Sequence, residues 1–138
     1  MGPVKGLTGY SGTPLVAKLG IKAGARAQIL NPPADFPATL GILPERVTLA
    51  SRGAFDFAIL FVTRKTDLAK RFPPLRDRLA ANGMLWISWP KRSSGAPTDL
   101  NENVVREVGL GLGLVDVKVC AVDSTWSGLK FVRRLSDR

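Results

Sequence analysis

Seven polar, basic or aromatic residues stand at or just after apolar segments of the chain and could bind a ligand. They are Asn31, Thr63, Arg64, Ser88, Trp89, Lys91 and Arg92. Lysine and arginine side chains bind phosphate or carboxylate groups, and tryptophan can stack on a base or another ring. In open α/β sheets, ligands bind where the carboxyl ends of the parallel strands meet. We therefore expect a positively charged ligand-binding rim at that edge of the sheet.

A second interpretation of these residues is purely structural. Lys91 and Arg92 also fit a solvated loop whose charges bind nothing. Trp86 and Trp89 are three residues apart, so on one strand their side chains point to opposite faces. Either one of them forms a stacking surface or both pack in the core.

Few residues of the chain are suited to acid–base or nucleophilic chemistry. The chain contains no histidine and one cysteine, which removes the commonest general base and every pairing of histidine with a serine or cysteine nucleophile. Cys120 lies in an apolar run and is expected to be a buried, inert thiol. Asp123 is expected to stabilise a turn. The sequence predicts no catalytic residue, no metal site and no cofactor.

The charge of the chain favours anionic partners. The formal net charge is +9, and a positive field attracts nucleic acid, phosphorylated metabolites or anionic membranes. The basic residues are dispersed among acidic ones, so a role in solubility is the alternative. No apolar run reaches the roughly 20 residues that a membrane span needs. The single cysteine and the lack of an apolar leader after Met1 favour the cytoplasm.

Apolar runs and turn residues predict one α/β domain over residues 13–138, preceded by an extended segment over residues 1–12. Nearly continuous apolar runs are typical of central parallel strands that are covered on both faces. Strands that alternate with helices predict a mostly parallel, Rossmann-like sheet with helices on both faces. The last two strands are expected to form an antiparallel hairpin. Strands are expected over residues 27–30, 46–50, 55–62, 84–89, 115–122 and 127–134.

Proline, glycine and hydroxyl residues predict where the first two helices begin and end. A short helix is expected over residues 13–20, with Thr13 as its cap. The next helix is expected to be capped by Thr63 or Thr66 and to break or kink at Pro73–Pro74, because proline lacks the N–H that a helix interior needs. The third helix begins after Thr98.

The third helix and the segment after the first strand carry further signals. Asp99 and Glu102 have the spacing of a capping box at the start of the third helix. Residues 34–45 contain two prolines and a glycine, which predicts a loop or a broken helical turn. A glycine-rich run ends the third helix loosely.

Four segments, in order along the chain, resemble class I methyltransferases. They resemble the lead-in to the first strand, the fourth strand, the turn into the fifth strand and the start of the last two strands of that fold. The segments are Leu19–Arg26, Phe55–Leu60, Leu79–Ile87 and Gly113–Val117. The resemblance covers most of the chain from Thr13 onward and implies a methyltransferase-like sheet.

Three longer strings resemble a small bacterial family whose domain has no assigned function. They are Tyr10–Leu15, Trp86–Lys91 and Asp116–Asp123. This second resemblance implies the same fold and no particular activity.

The chain departs from the methyltransferase pattern after its first strand. Class I methyltransferases have a glycine-rich loop there, in which glycine lets the backbone approach the cofactor S-adenosylmethionine. This chain has Asn31–Asp35, with Pro32 and Pro33 in the place of that loop. The segment up to Val47 is also short, which predicts that one strand–helix unit of the fold is missing.

The departure leads to a prediction of function. We expect a non-catalytic, methyltransferase-like module that binds a protein partner or an anionic small molecule at the carboxyl ends of the strands. One alternative is an enzyme with noncanonical chemistry on a nucleotide-like or phosphorylated substrate, which would use Lys91, Arg92 or Lys130 to bind the anion and Asp123 as its acid. The other alternative is a basic nucleic-acid-binding protein.

Overall fold

The computed structural model describes residues 13–138, and the expected lead-in over residues 1–12 lies outside them. Helices α1 to α4 span Leu15–Leu19, Phe36–Leu40, Lys65–Arg78 and Glu102–Gly111. Strands β1 to β6 span Arg26–Leu30, Thr48–Leu49, Phe55–Phe61, Leu79–Pro90, Leu114–Ala121 and Trp126–Arg133. Within residues 13–138, no helix is both long and apolar enough to cross a membrane.

The strands of the described residues form one sheet in the order β2–β1–β3–β4–β6–β5. Strands β2, β1, β3 and β4 are parallel, whereas β6 is antiparallel to both of its neighbours, β4 and β5. Strand β5 therefore runs in the same direction as β4. This arrangement confirms the predicted fold class, a mostly parallel α/β sheet with an antiparallel C-terminal hairpin.

Helices cover both faces of the sheet. On one face, which we call the α1–α2 face, Leu19 of α1 and Phe36 of α2 pack on Phe57, Ile59 and Phe61 of β3. On the opposite α3–α4 face, helices α3 and α4 pack on alternate residues of the same strand. The side chains on both faces of β3 are therefore buried under helices, which explains the nearly all-apolar sequence of that strand.

The two tryptophans of β4 belong to opposite faces, as predicted. Trp86 is packed on the α1–α2 face and Trp89 on the α3–α4 face. Both side chains are buried, with 0% and 5% of their surface exposed, so the interpretation of both as core residues holds. The indole Nε1 of Trp86 donates a hydrogen bond of 2.8 Å to the carbonyl of Leu19, which attaches α1 to the sheet.

Helix α3 runs without a break through Pro73 and Pro74, so the predicted division into two helical pieces is wrong, and the alternative of a kink stays a prediction. The two prolines cannot donate to the helical ladder, which weakens the helix. The buried side chains of Leu68, Phe72 and Leu75 lie along one side of α3 and pack on the sheet. Tertiary packing of this apolar side offsets the missing hydrogen bonds.

Strand β4 begins at Leu79, directly after α3, and not at Met84 as expected. Asn82 and Gly83 therefore belong to the strand. A Cβ atom at Gly83 would lie 2.9 Å from the carbonyl oxygen of Asp56, so glycine is needed there for close approach of the backbones.

The predicted helix caps are also corrected. Asn101 caps α4, because its side chain accepts a hydrogen bond of 2.9 Å from the N–H of Val104. Asp99 instead accepts a bond of 2.8 Å from the N–H of Lys65, and so satisfies a free donor at the start of α3. Neither Thr63 nor Thr66 caps that helix, whose N-cap residue is Arg64 without a side-chain bond of its own.

The connection from β1 to β3 is short. It contains the one-turn helix α2, within the segment expected to be a loop or broken turn, and the two-residue strand β2. Strand β2 is shorter than the predicted residues 46–50. Four other strand predictions, over residues 27–30, 55–62, 115–122 and 127–134, agree with β1, β3, β5 and β6 to within one residue at each end.

Candidate functional site

The carboxyl edge of the sheet holds the ends of β1, β3 and β4 together with the turn between β5 and β6. The turn belongs to this edge because β5 runs parallel to β4 through its pairing with β6. The N–H of Lys91 donates to the carbonyl of Thr125 at 2.7 Å, which joins the end of β4 to the turn. Two cavities open along this edge, one on each side of it.

The larger cavity has a volume of about 630 Å³ and lies between α1, α2 and the β5–β6 turn. We call it the α1-side cavity. A volume of this size is in the range of small-molecule binding sites, about 300–1,000 Å³. Its lining residues are Thr13, Pro14, Leu15, Lys18, Thr39, Leu40, Ala121, Val122, Asp123 and Ser124.

One cation and one carboxylate on the wall of the α1-side cavity are held by the backbone. The ammonium group of Lys18 donates to the carbonyl of Ala121 at 3.1 Å. Oδ1 of Asp123 accepts hydrogen bonds of 2.8 Å from the N–H groups of Thr125 and Trp126. The predicted role of Asp123 in a turn is confirmed, and its second oxygen, Oδ2, takes no part in these two bonds.

The smaller cavity has a volume of about 450 Å³ and lies between the end of β4 and the loop over residues 95–101. We call it the loop-side cavity. Trp89 and Arg92 line it, and an adjoining pocket of about 150 Å³ is lined by Arg64, Thr98 and Asp99 together with Pro97. The structure thus brings Arg64, Trp89 and Arg92 close to one another, as the sequence predicts.

The loop of this cavity is tied to the end of β3 by the backbone of Thr63. The carbonyl of Thr63 accepts a hydrogen bond of 2.6 Å from the hydroxyl of Thr98 and one of 3.4 Å from the N–H of Asp99. Thr63 therefore contributes a backbone acceptor that positions the loop. That these residues bind a ligand stays a prediction.

The other three predicted site residues bind neighbouring backbone. Asn31 has a positive φ of 56°, and its side-chain amide donates to the carbonyl of Phe61 at 3.0 Å, joining the ends of β1 and β3. The hydroxyl of Ser88 is buried and donates to the carbonyl of Ser127 at 2.8 Å. The N–H of Lys91 donates to the carbonyl of Thr125 at 2.7 Å, and the positive charge of its side chain acts to lower the pKa of the Cys120 thiol.

Sequence reasoning missed most residues of the α1-side cavity. Thr13, Lys18, Thr39 and Ser124 line it, and none was among the predicted site residues. The predicted antiparallel hairpin was the signal that could have found it. If the first strand of this hairpin runs parallel to β4, the turn of the hairpin lies at the carboxyl edge of the sheet. In the structure this turn faces α1 across the cavity.

Cys120 borders the same face and is half-buried. Burial raises the pKa of its thiol, although the positive charges of Lys18, Lys118, Lys130 and Lys91 act in the opposite direction. A thiol with a raised pKa forms less thiolate at neutral pH and is less reactive, which agrees with the expected inert role.

The fold is similar to those of solved methyltransferases. Magnesium protoporphyrin IX methyltransferase from Synechocystis PCC 6803, solved with bound S-adenosylmethionine, has a TM-score of 0.60 and 12% identity over 87% of this chain and 74% of that one. The ribosomal protein L11 methylase from Lactobacillus delbrueckii subsp. bulgaricus has a TM-score of 0.56 and 12% identity over 87% and 75% of the two chains. A TehB-like S-adenosylmethionine-dependent methyltransferase from Corynebacterium glutamicum has 0.55 and 11% over 87% and 85%. Comparison of the sequence with family models and with curated proteins gave no match.

These neighbours confirm the methyltransferase-like fold and correct the predicted function. The prediction of a non-catalytic module is wrong by this comparison, because the structures that share the fold are methyltransferases, solved with S-adenosylmethionine or its product S-adenosylhomocysteine bound in the Synechocystis enzyme. The prediction gave most weight to the turn after β1, and no residue of Asn31–Asp35 lines the α1-side cavity. The resemblance to the small bacterial family and the replacement of the glycine loop stay predictions.

Proposed function

We propose that the protein is a methyltransferase that binds S-adenosylmethionine in the α1-side cavity. The observation that carries this proposal is the position of a cavity of about 630 Å³ at the carboxyl edge of a methyltransferase-like sheet, where α/β folds bind their ligands. When bound, S-adenosylmethionine would supply an activated methyl group on its sulfonium. The residues of the chain would bind it and orient the acceptor.

The polar groups on the cavity wall fit the charges of this cofactor. S-adenosylmethionine carries a carboxylate, an ammonium, a sulfonium and two ribose hydroxyls. Lys18 can bind the carboxylate, and Oδ2 of Asp123 can accept hydrogen bonds from the ammonium or the ribose. Both side chains are already positioned by hydrogen bonds with the backbone of the β5–β6 segment, which lowers the entropic cost of binding.

The turn after β1 offers few groups that a cofactor can bind, which favours the α1-side cavity as the binding position. The amide of Asn31 is occupied by the carbonyl of Phe61, and Pro32 and Pro33 offer no N–H donors. A cofactor therefore gains little from this turn. The apolar wall of Pro14, Leu15 and Leu40 instead provides a surface on which an adenine ring can pack.

The test is direct binding measured by isothermal titration calorimetry with S-adenosylmethionine, S-adenosylhomocysteine and sinefungin. We expect saturable binding that also raises the melting temperature. Asp123→Asn keeps an oxygen that can accept the two turn N–H bonds, and Lys18→Gln removes one charge from the wall. Each is expected to weaken binding about tenfold, the effect of losing one charged hydrogen bond.

Lys22→Gln is the matched control for Lys18→Gln, because Lys22 is exposed and does not line the cavity. It is expected to leave binding unchanged. The absence of binding for all three compounds would refute the proposal. Binding that survives both Asp123→Asn and Lys18→Gln would place the cofactor elsewhere and refute this site.

We also propose a cytoplasmic location for the protein. The support is the single cysteine, which is free and half-buried in the described structure. Chains that fold in reducing compartments do not depend on disulfides. Fluorescence of a tagged full-length chain in intact cells tests the proposal, and enrichment outside the cytoplasm would overturn it.

A further inference from the structure

Five lysines of the α1–α2 face form a basic patch beside the α1-side cavity. They are Lys18 on α1, Lys22 between α1 and β1, Lys91 after β4, Lys118 on β5 and Lys130 on β6. Four of them lie close enough to Cys120 for their charges to act on its thiol, and Lys22 acts on Lys130 in the same way. The patch is continuous with the cavity, because Lys18 lines the cavity wall.

A β-bulge in β5 turns Lys118 into this patch. Asp116 is paired with Phe131 of β6 and Lys118 with Lys130, so that Val117 is the extra residue. Before the bulge, Asp116 faces α4 and accepts a hydrogen bond of 2.9 Å from Arg106. After it, Lys118 faces α1 and donates to the carbonyl of Lys18 at 3.0 Å. Bulges of this kind re-aim side chains and are frequent beside active sites.

The bulge creates a direct cross-strand pair of like charges. Lys118 lies opposite Lys130, and two like charges in this position destabilise a sheet. Burial lowers the pKa of Lys130, and the neighbouring charges of Lys118 and Lys22 lower it further. The Nζ of Lys130 lies 5.8 Å from the centre of the Trp86 ring, a contact that holds the ammonium over the core.

No lysine of the patch forms an ion pair with a carboxylate within residues 13–138. The ion pairs of this part of the chain join arginines to Glu45, Asp77, Glu102 and Asp116, and none includes a lysine. The ammonium groups of Lys18 and Lys118 donate instead to backbone carbonyls. These bonds position the two groups and leave their charges uncompensated.

We propose that this basic patch binds a ligand that carries several phosphate groups. A cluster of ammonium groups without counter-charge creates a local positive potential, and phosphate groups are the biological anions that carry enough charge to neutralise several of them. Lysine binds phosphate as a point charge with three donors. In the proposed function, on which this last step rests, the ligand is the methyl acceptor, because the patch meets the cofactor cavity at Lys18.

The test compares two variants that lose the same charge. Lys118→Gln/Lys130→Gln removes the cross-strand pair of the patch. Lys65→Gln/Lys70→Gln is the matched control, because both lysines are exposed on α3 over the opposite face. Binding of tripolyphosphate and of a short single-stranded RNA is measured by calorimetry at about 50 mM and about 200 mM salt, a range over which phosphate binding weakens strongly.

We expect the patch variant to bind about tenfold more weakly or worse and the control to bind nearly as well as the parent protein. Equal weakening in both variants shows a response to net charge and overturns the proposal. The proposal is also overturned if the parent protein binds neither tripolyphosphate nor RNA. Tighter binding of tripolyphosphate identifies a small phosphorylated ligand, and tighter binding of RNA at equal phosphate concentration identifies a nucleic-acid backbone. Either result supports the phosphate site.

Two further measurements keep this result separate from other failures. S-adenosylmethionine binding by the patch variant is expected to remain unchanged, so that loss of phosphate binding is distinguished from failure of the cofactor proposal. If the double variant does not fold, Lys22→Gln/Lys91→Gln removes two other charges of the patch. Unchanged phosphate binding in that variant overturns the proposal.

Discussion

The two faces of the sheet treat their charged groups differently. On the α3–α4 face, charged side chains of the longer helices have partners within the fold. Arg106 forms ion pairs with Glu102 and Asp116, and Asp99 accepts a hydrogen bond from the first N–H of α3. On the α1–α2 face, the helices have five residues each, a cavity lies open and Lys118 faces Lys130. Pairing satisfies charges within the fold, whereas unpaired charges beside a cavity are available to a ligand. From this comparison we expect the α3–α4 face to contribute more to stability, and the α1–α2 face, which has the larger of the two cavities, to contribute more to binding.

The largest expected effect tests whether the α3–α4 face is the rigid one. A Cβ atom at Gly109 of α4 would lie 2.1 Å from Cε1 of Phe131. Gly109→Ala is therefore expected to lower the free energy of unfolding by about 3 kcal/mol, the upper part of the range for overpacking a core. Chemical denaturation followed by circular dichroism measures the change.

Gly111→Ala in the same helix is the control. No atom lies within 4 Å of a Cβ at Gly111, and alanine has the higher helix propensity, so stability should rise by about 0.5 kcal/mol. If Gly109→Ala is as well tolerated as Gly111→Ala, the packing between α4 and β6 is not tight and the comparison of the faces fails.

Gln28 is an exception on the well-paired face. Its side chain lies on β1 and is 1% exposed, and neither its amide nitrogen nor its amide oxygen has a hydrogen-bond partner. A buried, unsatisfied polar group costs about 1–3 kcal/mol. Gln28→Met, which nearly preserves the shape, is expected to raise the free energy of unfolding by about 1–2 kcal/mol.

Ser88→Ala is the contrasting variant, because the hydroxyl of Ser88 is buried and bonded to the carbonyl of Ser127. Its loss should lower stability by about 1 kcal/mol. If Gln28→Met instead destabilises the protein, the amide has a role in the folded state that its lack of partners does not show.

The fold could be predicted from the sequence where one signal dominated. The apolar run over residues 55–62 identified a strand that is covered on both faces. The alternation of strands and helices identified a mostly parallel α/β sheet. Local signals misled where tertiary packing prevailed. Pro73–Pro74 was expected to break α3, but the buried side of that helix holds it together.

The candidate site was predictable only in part, because its residues come together through topology. Arg64 follows β3, Trp89 lies at the end of β4 and Arg92 follows β4, so the rule for the carboxyl ends of parallel strands placed them at one edge. The α1-side cavity joins a helix at one end of the chain to a turn near the other, at Lys18 and Asp123. The bulge at Val117, which turns Lys118 to that side, has no distinct sequence signal.

A smaller effect concerns the link between the loop-side cavity and α3. Asp99→Ala removes the acceptor for the N–H of Lys65 and should lower the free energy of unfolding by about 1 kcal/mol, as loss of a helix cap does. Asp99→Asn retains a side-chain oxygen and should recover most of that loss. Equal loss in both variants would show that the negative charge, and not the hydrogen bond, stabilises the start of α3.

The smallest expected effect concerns the lysines of the α1–α2 face that have no ion-pair partner. Lys118→Gln removes one charge of the pair with Lys130 and should raise the free energy of unfolding by about 0.3 kcal/mol at low salt. High salt screens exposed charges, so the gain should shrink at about 1 M salt. Lys70→Gln, at an exposed position inside α3 and away from its ends, should show neither the gain nor its salt dependence.

Adding tripolyphosphate should reverse the sign of the Lys118→Gln effect. A ligand that binds only the folded protein stabilises it in proportion to its affinity, and the parent protein keeps the charge that binds phosphate. The parent should then unfold at a higher denaturant concentration than the variant. If Lys118→Gln remains the more stable protein at saturating tripolyphosphate, the charges of Lys118 and Lys130 do not bind phosphate. The α1–α2 face then differs from the α3–α4 face in charge alone.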